Sequence, residues 1–500
     1  MEEVVLKGEK PSELPVPLTM NRPGFIARRH FLSGVAATAV GLVASRMSRA
    51  QADAGARLTI AYADAGRPIA SDFVGLSYES AILAAGDYFT PENGSVLGLI
   101  RSLGRNGVIR IGGDTSARTV WRAATKAIAS DSFVIAPASI DRLAAAIRIL
   151  GWKLVYGLNL ARGTPEEASD EAAYVARAVD SNLLAFQIGN EPDGFGRWNA
   201  LRPKTYDATA FLAEWRKFHK AVRVRTPDAP FAGPDATAID WVAAFAEGHP
   251  EGFKLLTHHF YADGPAGAPH VTLAKLLHSE DRVGPLLQKL AHYSRAYGLP
   301  YRIVETNSVY GEGQPGVSDT LGAALWGLEF MFEAAAAGAD GVNFHTGVHN
   351  FRPDYDKAYT PIARSSGGRH RAAPLYYGML AFGQAARGVL VPVRTASSGR
   401  DLKAFALRAP EGTLRVCLIN KDFSRGVRVT IDAERSFVGS SVMRLSGPAA
   451  DARAGITLGG ASVDEFGAWA PATSEVAHSS GREITVDVPA ASAAVVSMHV

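Results

Sequence analysis

From Asp72 to about Gly388, short apolar runs alternate with longer stretches in which apolar residues return every third or fourth position. The short runs are FVGLSYES, GVIRIGGD, KLVYGLNLA, LAFQIGNE, FAGPD, KLLTHHFYA, YRIVETNS and GVNFHTG, eight in all. Between them lie stretches such as EEASDEAAYVARAVD, ATAFLAEWRKFHKAVR, VGPLLQKLAHYSRAYG and LGAALWGLEFMFEAAAAGA, whose apolar spacing is the helical period. Strand-length runs alternating with helices predict a parallel sheet of βα units. Eight units over roughly 310 residues fit a closed (β/α)8 barrel, a TIM barrel, at the upper part of its size range. An open doubly wound sheet would want a glycine-rich phosphate loop after its first strand. GLSYES offers no G-x-G-x-x-G, and the chain contains no G-x-x-x-x-G-K-[ST].

After Gly388 the period changes. VLVPVRTA, LKAFALRA, TLRVCLIN, GVRVTIDA, SSVMRL and REITVDVPAASAAVVSMHV are β-rich and separated by turn residues, the pattern of a β-sandwich. ARLTIAYADAGRPIA, ahead of the barrel, reads as one or two further strands that can pair into the same sandwich. The expected organisation is a leader over residues 1–52, N-terminal strands over 53–70, an α/β barrel over 71–387 and a C-terminal β-sandwich domain over 388–500.

The leader alters the charge balance. RPGFIARRHFLSGVAATAVGLVASRMSRAQADA runs from basic (Arg28-Arg29) through a mild apolar stretch (Gly34 to Ala44) to Ala50-Gln51-Ala52. That order describes a cleavable twin-arginine-type export signal, with a periplasmic or secreted product. Its apolar span of about a dozen residues is short of the roughly twenty that a bilayer needs, so no membrane anchor is expected to remain after cleavage. Residues 1–52 carry seven of the 52 Lys/Arg and four of the 49 Asp/Glu, so 45 of each sign remain beyond them. A formally neutral chain gives no argument for nucleic acid. Cys417 is the only cysteine, so no intramolecular disulfide can form, and its setting LRVCLIN is that of a core strand.

In such a barrel the C-terminal ends of the strands face the active site. Those ends supply Glu79, Asp114, Asn159, Asn190 with Glu191, Asp235, Tyr261, Glu305 and His345. In FQIGNEPDGF, Pro192 lacks an N–H and biases Glu191 away from helix, so the strand must end and Glu191 is offered at its tip. Glu305 follows Ile303-Val304 on a buried run, a costly place for a carboxylate unless it opens onto the mouth. Two carboxylates facing each other across a mouth can act as proton donor and nucleophile of a retaining glycosidase, at a separation of about 5–5.5 Å. Plainer readings stand beside these: Tyr261 as a core tyrosine and His345 as a satisfied structural histidine. His258-His259 would suggest a metal, but adjacent strand residues point to opposite faces, and no cluster has ligand spacing. Neither metal nor cofactor is expected. Arg352, Lys357, Arg364, Arg369 and Arg371, interrupted by Asp354 and Asp356, read as a solvated rim after strand eight.

The order Asn-Glu on strand four, Tyr on strand six and Glu on strand seven resembles the clan A glycoside hydrolases. VETNSVYGEGQPGVSDT (304–320) resembles the nucleophile region of glycoside hydrolase family 79, the β-glucuronidase and heparanase family, and its bacterial exo-acting members in particular. RIGGDTS and QIGNEPD resemble that family as well. The resemblance implies Glu191 as acid/base and Glu305 as nucleophile, with Tyr261 orienting Glu305. It implies Glu79 and Asn190 on sugar hydroxyls, Asp114 and His345 in the pocket wall, and Tyr310 with the N–H groups around Gly311 on the glucuronate carboxylate. A second family tyrosine on that carboxylate corresponds to Tyr355 or Tyr359. Glu312 stands where heparanase has a glycine and is expected to face solvent. NSVYGEGQPG contains no Lys or Arg, so the carboxylate is expected to be held without a dedicated salt bridge. The implied function is retaining, exo-acting β-glucuronidase on glucuronic-acid-containing glycans or glycosides. The alternatives are a heparanase-like endo enzyme, an exo-hydrolase of neutral β-glycosides and a non-catalytic carbohydrate binder. The last is disfavoured because a lectin needs no glutamate pair.

Overall fold

The computed structural model describes residues 53–499 except 65, 123–128, 249–251, 349, 351–354 and 396–400. The predicted export leader lies outside the described residues, as do Arg352 and Asp354.

Eight parallel strands close into a barrel in chain order. They are β1 (Val74–Glu79), β2 (Val108–Gly112), β3 (Lys153–Leu158), β4 (Leu183–Ile188), β5 (Phe231–Ala236), β6 (Phe253–Asp263), β7 (Tyr301–Val309) and β8 (Val342–Thr346). Every residue of β1, β2, β5, β7 and β8 is buried, because the strands have helices on one side and the barrel interior on the other. That is why these runs are continuous in the sequence rather than alternating. Helices begin where side chains satisfy their first N–H groups. Thr164 and Glu167 form a reciprocal capping box at Pro165–Val179, and Asp207 and Thr320 cap Ala208–Arg225 and Leu321–Ala337.

Two further sheets, of five and seven strands among the described residues, form the sandwich. The N-terminal segment joins both. Asp53–Ile60 pairs in parallel with Val427–Asp432 in the five-stranded sheet, and Arg67–Pro68 pairs with Val389–Val391 in the seven-stranded one. The final β-rich run divides at Pro489, which cannot donate to a ladder. Glu483–Val488 lies in the first sheet and Ser492–His499 in the second. Alternation along the seven-stranded sheet decides what each face covers. Ala406, Val416, Leu418 and Val496 pack against Leu58, Ile60, Val429 and Ile484 inside the sandwich. Their neighbours Leu407, Cys417, Ile419 and Val495 point the other way, into the apolar core shared with the barrel. Cys417 is therefore a buried interface residue, and burial pushes its thiol pKa up.

Candidate active site

Four residues after the last strand pair of β4, the chain has turned sharply. Gly189 (φ 92°) and Glu191 (φ 45°) are both left-handed, and Pro192–Gly194 forms a single 3-10 turn. The Glu191 N–H donates to the Asp235 carbonyl at 2.8 Å, which offsets the backbone cost of a non-glycine residue in this region. The result is a carboxyl group at the strand tip with a side chain only 15% exposed. On the opposite wall, Glu305 sits within β7. Carboxylate oxygens of Glu191 and Glu305 lie within 4.8 Å of one another, inside a cavity of about 770 Å³.

The two carboxyls are held in different states. Burial pushes the Glu191 pKa up, more than contact with His259 lowers it. Burial acts on Glu305 in the same direction, but His345, His259 and Arg110 outweigh it and hold Glu305 down to about 2. Arg110 is the centre of this arrangement. Its fully buried guanidinium donates to Glu305 Oε2 at 2.6 Å, Asp235 Oδ2 at 2.6 Å, Asn190 Oδ1 at 2.7 Å, Ser77 Oγ at 3.1 Å and Gln187 Oε1 at 3.3 Å. Tyr261 donates its hydroxyl to Glu305 Oε1 at 2.8 Å, so both Glu305 oxygens are oriented. His259 bridges Glu191 and Asp235, with Nδ1 3.0 Å from Glu191 Oε1 and Nε2 2.7 Å from Asp235 Oδ1. Burial opposes its charge, but Asp235 and Glu305 raise its pKa well above the usual imidazole range, which makes it a donor from both nitrogens. Two cations, Arg110 and His259, then face two anions, Asp235 and Glu305, while burial raises the Glu191 pKa. Glu191, His259 and Glu305 have the spacing of a cation-binding trio. A protonated imidazole and a guanidinium already supply positive charge there, so the donor set suits proton transfer rather than metal ligation.

The other expected residues fall into three groups. Asp114 opens onto the pocket, where burial by its walls and the charges of Glu191, Glu79 and Glu305 push its pKa well above the ordinary range. Asn190 is turned by Arg110 so that its amide nitrogen lies 3.4 Å from Asp114. Glu79 is anchored by Thr115 (2.9 and 2.8 Å), Asn350 (2.8 Å), Lys357 (3.1 Å) and His345 (3.2 Å). Burial raises its pKa, but Lys357 and His345 outweigh burial and leave it well below 4.5. Gly113 (φ 72°) permits this packing, since a Cβ there would come 2.4 Å from the Glu79 carboxylate. His345 also touches Ser77 (3.1 Å) and Lys357 (2.8 Å). Tyr310 is 45% exposed on the pocket wall, followed by the left-handed run Gly311, Glu312, Gly313. Asn159 stays out of the pocket and organises its own loop through Thr119 and Arg162.

Several expectations need correction. Glu312 does not face solvent. Its side chain is 12% exposed and turned inward, with Oε1 accepting from the Asn350 N–H and Oε2 3.7 Å from Lys357 Nζ. Lys357 is no solvated rim residue but is fully buried in the pocket wall, so a cation does stand at this end of the site. Burial works against its charge, yet Tyr359, Glu79 and Glu312 raise its pKa. Tyr359 is buried beside Tyr261 and His345 and lines the pocket, whereas Tyr355 is 58% exposed and lines a neighbouring cavity. Of the two histidines of β6, His259 bonds to Glu191 and Asp235 and takes its place in the carboxylate network, as strand alternation expects, while His258 lies beside it at the cavity wall. His258 is neutral, held down to about 3 by burial and by His259.

Sequence reasoning singles out neither Arg110 nor Gln187, and it names His259 and Lys357 without placing them in the site. A signal existed for the first two: a charged or amide residue inside an otherwise apolar strand, GVIRIGG or AFQIG, must be paired in the barrel interior.

Residues 404–495 match the Glycosyl hydrolase family 79 C-terminal beta domain. The chain is 26% identical over 405 residues to a β-glucuronidase of Aspergillus niger, covering 71% of this chain and 73% of that protein. Both matches support glycoside hydrolase family 79. The chain is also 29% identical over 259 residues to a β-glucuronidase of Neurospora crassa, covering 46% of this chain and 45% of that one. Mouse heparanase is 26% identical over 239 residues, 43% of each chain. The chain thus spans less than half the length of two of these family members. A crystal structure of a 4-O-α-L-rhamnosyl-β-D-glucuronidase from Fusarium oxysporum superposes with a TM-score of 0.71 at 20% identity. It covers 88% of this chain and 99% of that one, and so shares the fold.

Proposed function

We propose that the protein is a retaining, exo-acting β-glucuronidase. The observation that carries this reading is the pair Glu191 and Glu305, within 4.8 Å of each other, the first with its pKa raised by burial and the second with its pKa held down by His345, His259 and Arg110. That spacing suits direct attack by one carboxylate and leaves no room for the intervening water of an inverting enzyme. Glu305 attacks the anomeric carbon as Glu191 gives its proton to the departing glycosidic oxygen. The Glu191 carboxylate then takes a proton from water, whose oxygen displaces Glu305. Arg110 and Tyr261 keep Glu305 ionised and aimed, and His259 holds the acid.

For the sugar, the support is the far end of the pocket. Tyr310, Tyr359 and Lys357 line it together with Gly311 and Glu312 of the left-handed turn. Successive N–H groups in such a turn can form an anion-binding concavity. Lys357 adds positive charge that offsets the inward Glu312. A panel of aryl β-glucuronide, β-glucoside, β-xyloside and β-galacturonide tests the reading, with the glucuronide expected to lead. Tyr310→Phe should lower kcat/KM for the glucuronide by about tenfold to a hundredfold, the worth of a hydrogen bond to a charged group, and leave weak glucoside hydrolysis little changed. A wild type that prefers glucoside or xyloside would replace glucuronate by a neutral sugar.

Export belongs to the same proposal. The pair Arg28→Lys with Arg29→Lys is expected to leave folded, active precursor in the cytoplasm, with wild-type cleavage near Ala52. Unchanged export of the double variant, measured by fractionation, would point to the general secretory route.

A further inference from the structure

The loop that carries Glu191 carries one more feature the chemistry above does not use. Trp198 is 54% exposed, although the turn beneath it is buried. Its indole lies over Gly194, where a Cβ would come 2.3 Å from the ring. The N–H groups of Arg197, Trp198 and Asn199 all donate to the Gly194 carbonyl at 3.0–3.1 Å, so the chain folds back tightly on that residue. The shelf is also tied to the next loop. Buried Asp193 accepts from the Thr237 hydroxyl at 2.6 Å and from the Ala238 N–H at 2.9 Å. Trp198 lines the catalytic cavity together with Thr237, Ile239 and Leu286. A tightly mounted, exposed indole lining the same cavity as two aliphatic side chains is an apolar face waiting for a flat partner.

The position of the acid identifies that partner. Glu191 must touch the oxygen of the bond being broken, so the leaving group lies on the Glu191 side of the cavity. Glu79, Lys357 and Tyr359 lie at the other end, around the sugar. We propose that Trp198 is the floor of the leaving-group subsite, stacking on the apolar face of a six-membered ring attached through the scissile oxygen, with Ile239 and Leu286 as its flanks. The inference rests on the glucuronidase reading and narrows its substrates to glucuronides whose leaving group presents such a ring, aryl or pyranosyl.

The experiment compares kcat/KM for phenyl β-glucuronide, a β-glucuronyl disaccharide and β-glucuronyl fluoride, which has no ring to stack. In Trp198→Ala the ratio of a ring-bearing substrate to the fluoride should fall about tenfold, and Trp198→Phe should restore most of it. The ring-bearing substrate that loses more identifies the leaving-group class. An unchanged ratio, with all three substrates falling together or none falling, would overturn the proposal and leave Trp198 a structural residue. If the wild type turns over no glucuronide, the glucuronidase reading fails first. Quenching of intrinsic fluorescence by phenyl β-glycosides of other sugars then decides the stacking separately. A quench that is lost in Trp198→Phe supports it, and no quench in the wild type overturns it.

Discussion

Glu305→Ala is expected to lower kcat for an aryl β-glucuronide by at least about 10⁴-fold, the scale of losing a covalent nucleophile, whatever the leaving group. Azide should restore turnover through the opposite anomer, because it fills the space the carboxylate vacates. Glu191→Ala should behave differently. Leaving groups that depart without a proton still yield the glycosyl-enzyme, so activated aryl glucuronides give a burst and a slowly released intermediate, whereas alkyl glucuronides do not react. The protonation states set the pH profile. Glu191, raised by burial, must be protonated for the first step, so kcat/KM of the wild type falls as pH rises through its pKa. That alkaline limb should vanish in Glu191→Ala. Proton NMR of the first-formed product should show the β-anomer. Early α-anomer would make the enzyme inverting and overturn the role assignments, Glu305 as nucleophile first.

Arg110→Met should be the most destabilising substitution in the barrel interior. The guanidinium is fully buried and paired to two carboxylates at 2.6 Å each. Removing it leaves Asp235 and Glu305 without their buried cation, a loss of about 3–5 kcal/mol. The pH dependence follows from the neighbours. Glu305 is held at about 2 against an ordinary value of 4.5, so the stabilisation it carries is present above pH 4.5 and lost as pH falls toward 2. The variant's deficit in urea midpoint should therefore be greatest near neutral pH and narrow in acid. Its Glu305 should titrate higher, which moves the acid limb of kcat/KM upward. Arg110→Lys is expected to rescue little, because one ammonium cannot reproduce a fork that reaches five acceptors. A midpoint like the wild type's would show that Arg110 does not hold the site together.

The barrel and the strand-tip Glu191 were legible in the sequence because both follow from short-range rules, whereas Glu305, read as a strand end, lies in the middle of β7. Strand and helix have different apolar periods, eight strand runs come in succession, and a proline after Asn190-Glu191 ends a strand wherever it is placed. The β-rich tail was legible for the same reason, as was the chance that residues 53–70 join it. What those rules could not reach was partnership. Which carboxylate Arg110 neutralises depends on β2, β4, β5 and β7 meeting across the barrel interior, and no spacing along the chain encodes that distance. Lys357 and Glu312 read as surface charges because both lie in polar loops. They are buried because the loops after β7 and β8 fold over the same end of the pocket and turn their charges toward each other. Local sequence decides where a strand stops and which group stands at its tip, because those choices are made within a few residues. The protonation state of that group is decided by the tertiary structure, because it depends on charges and walls brought in from other strands.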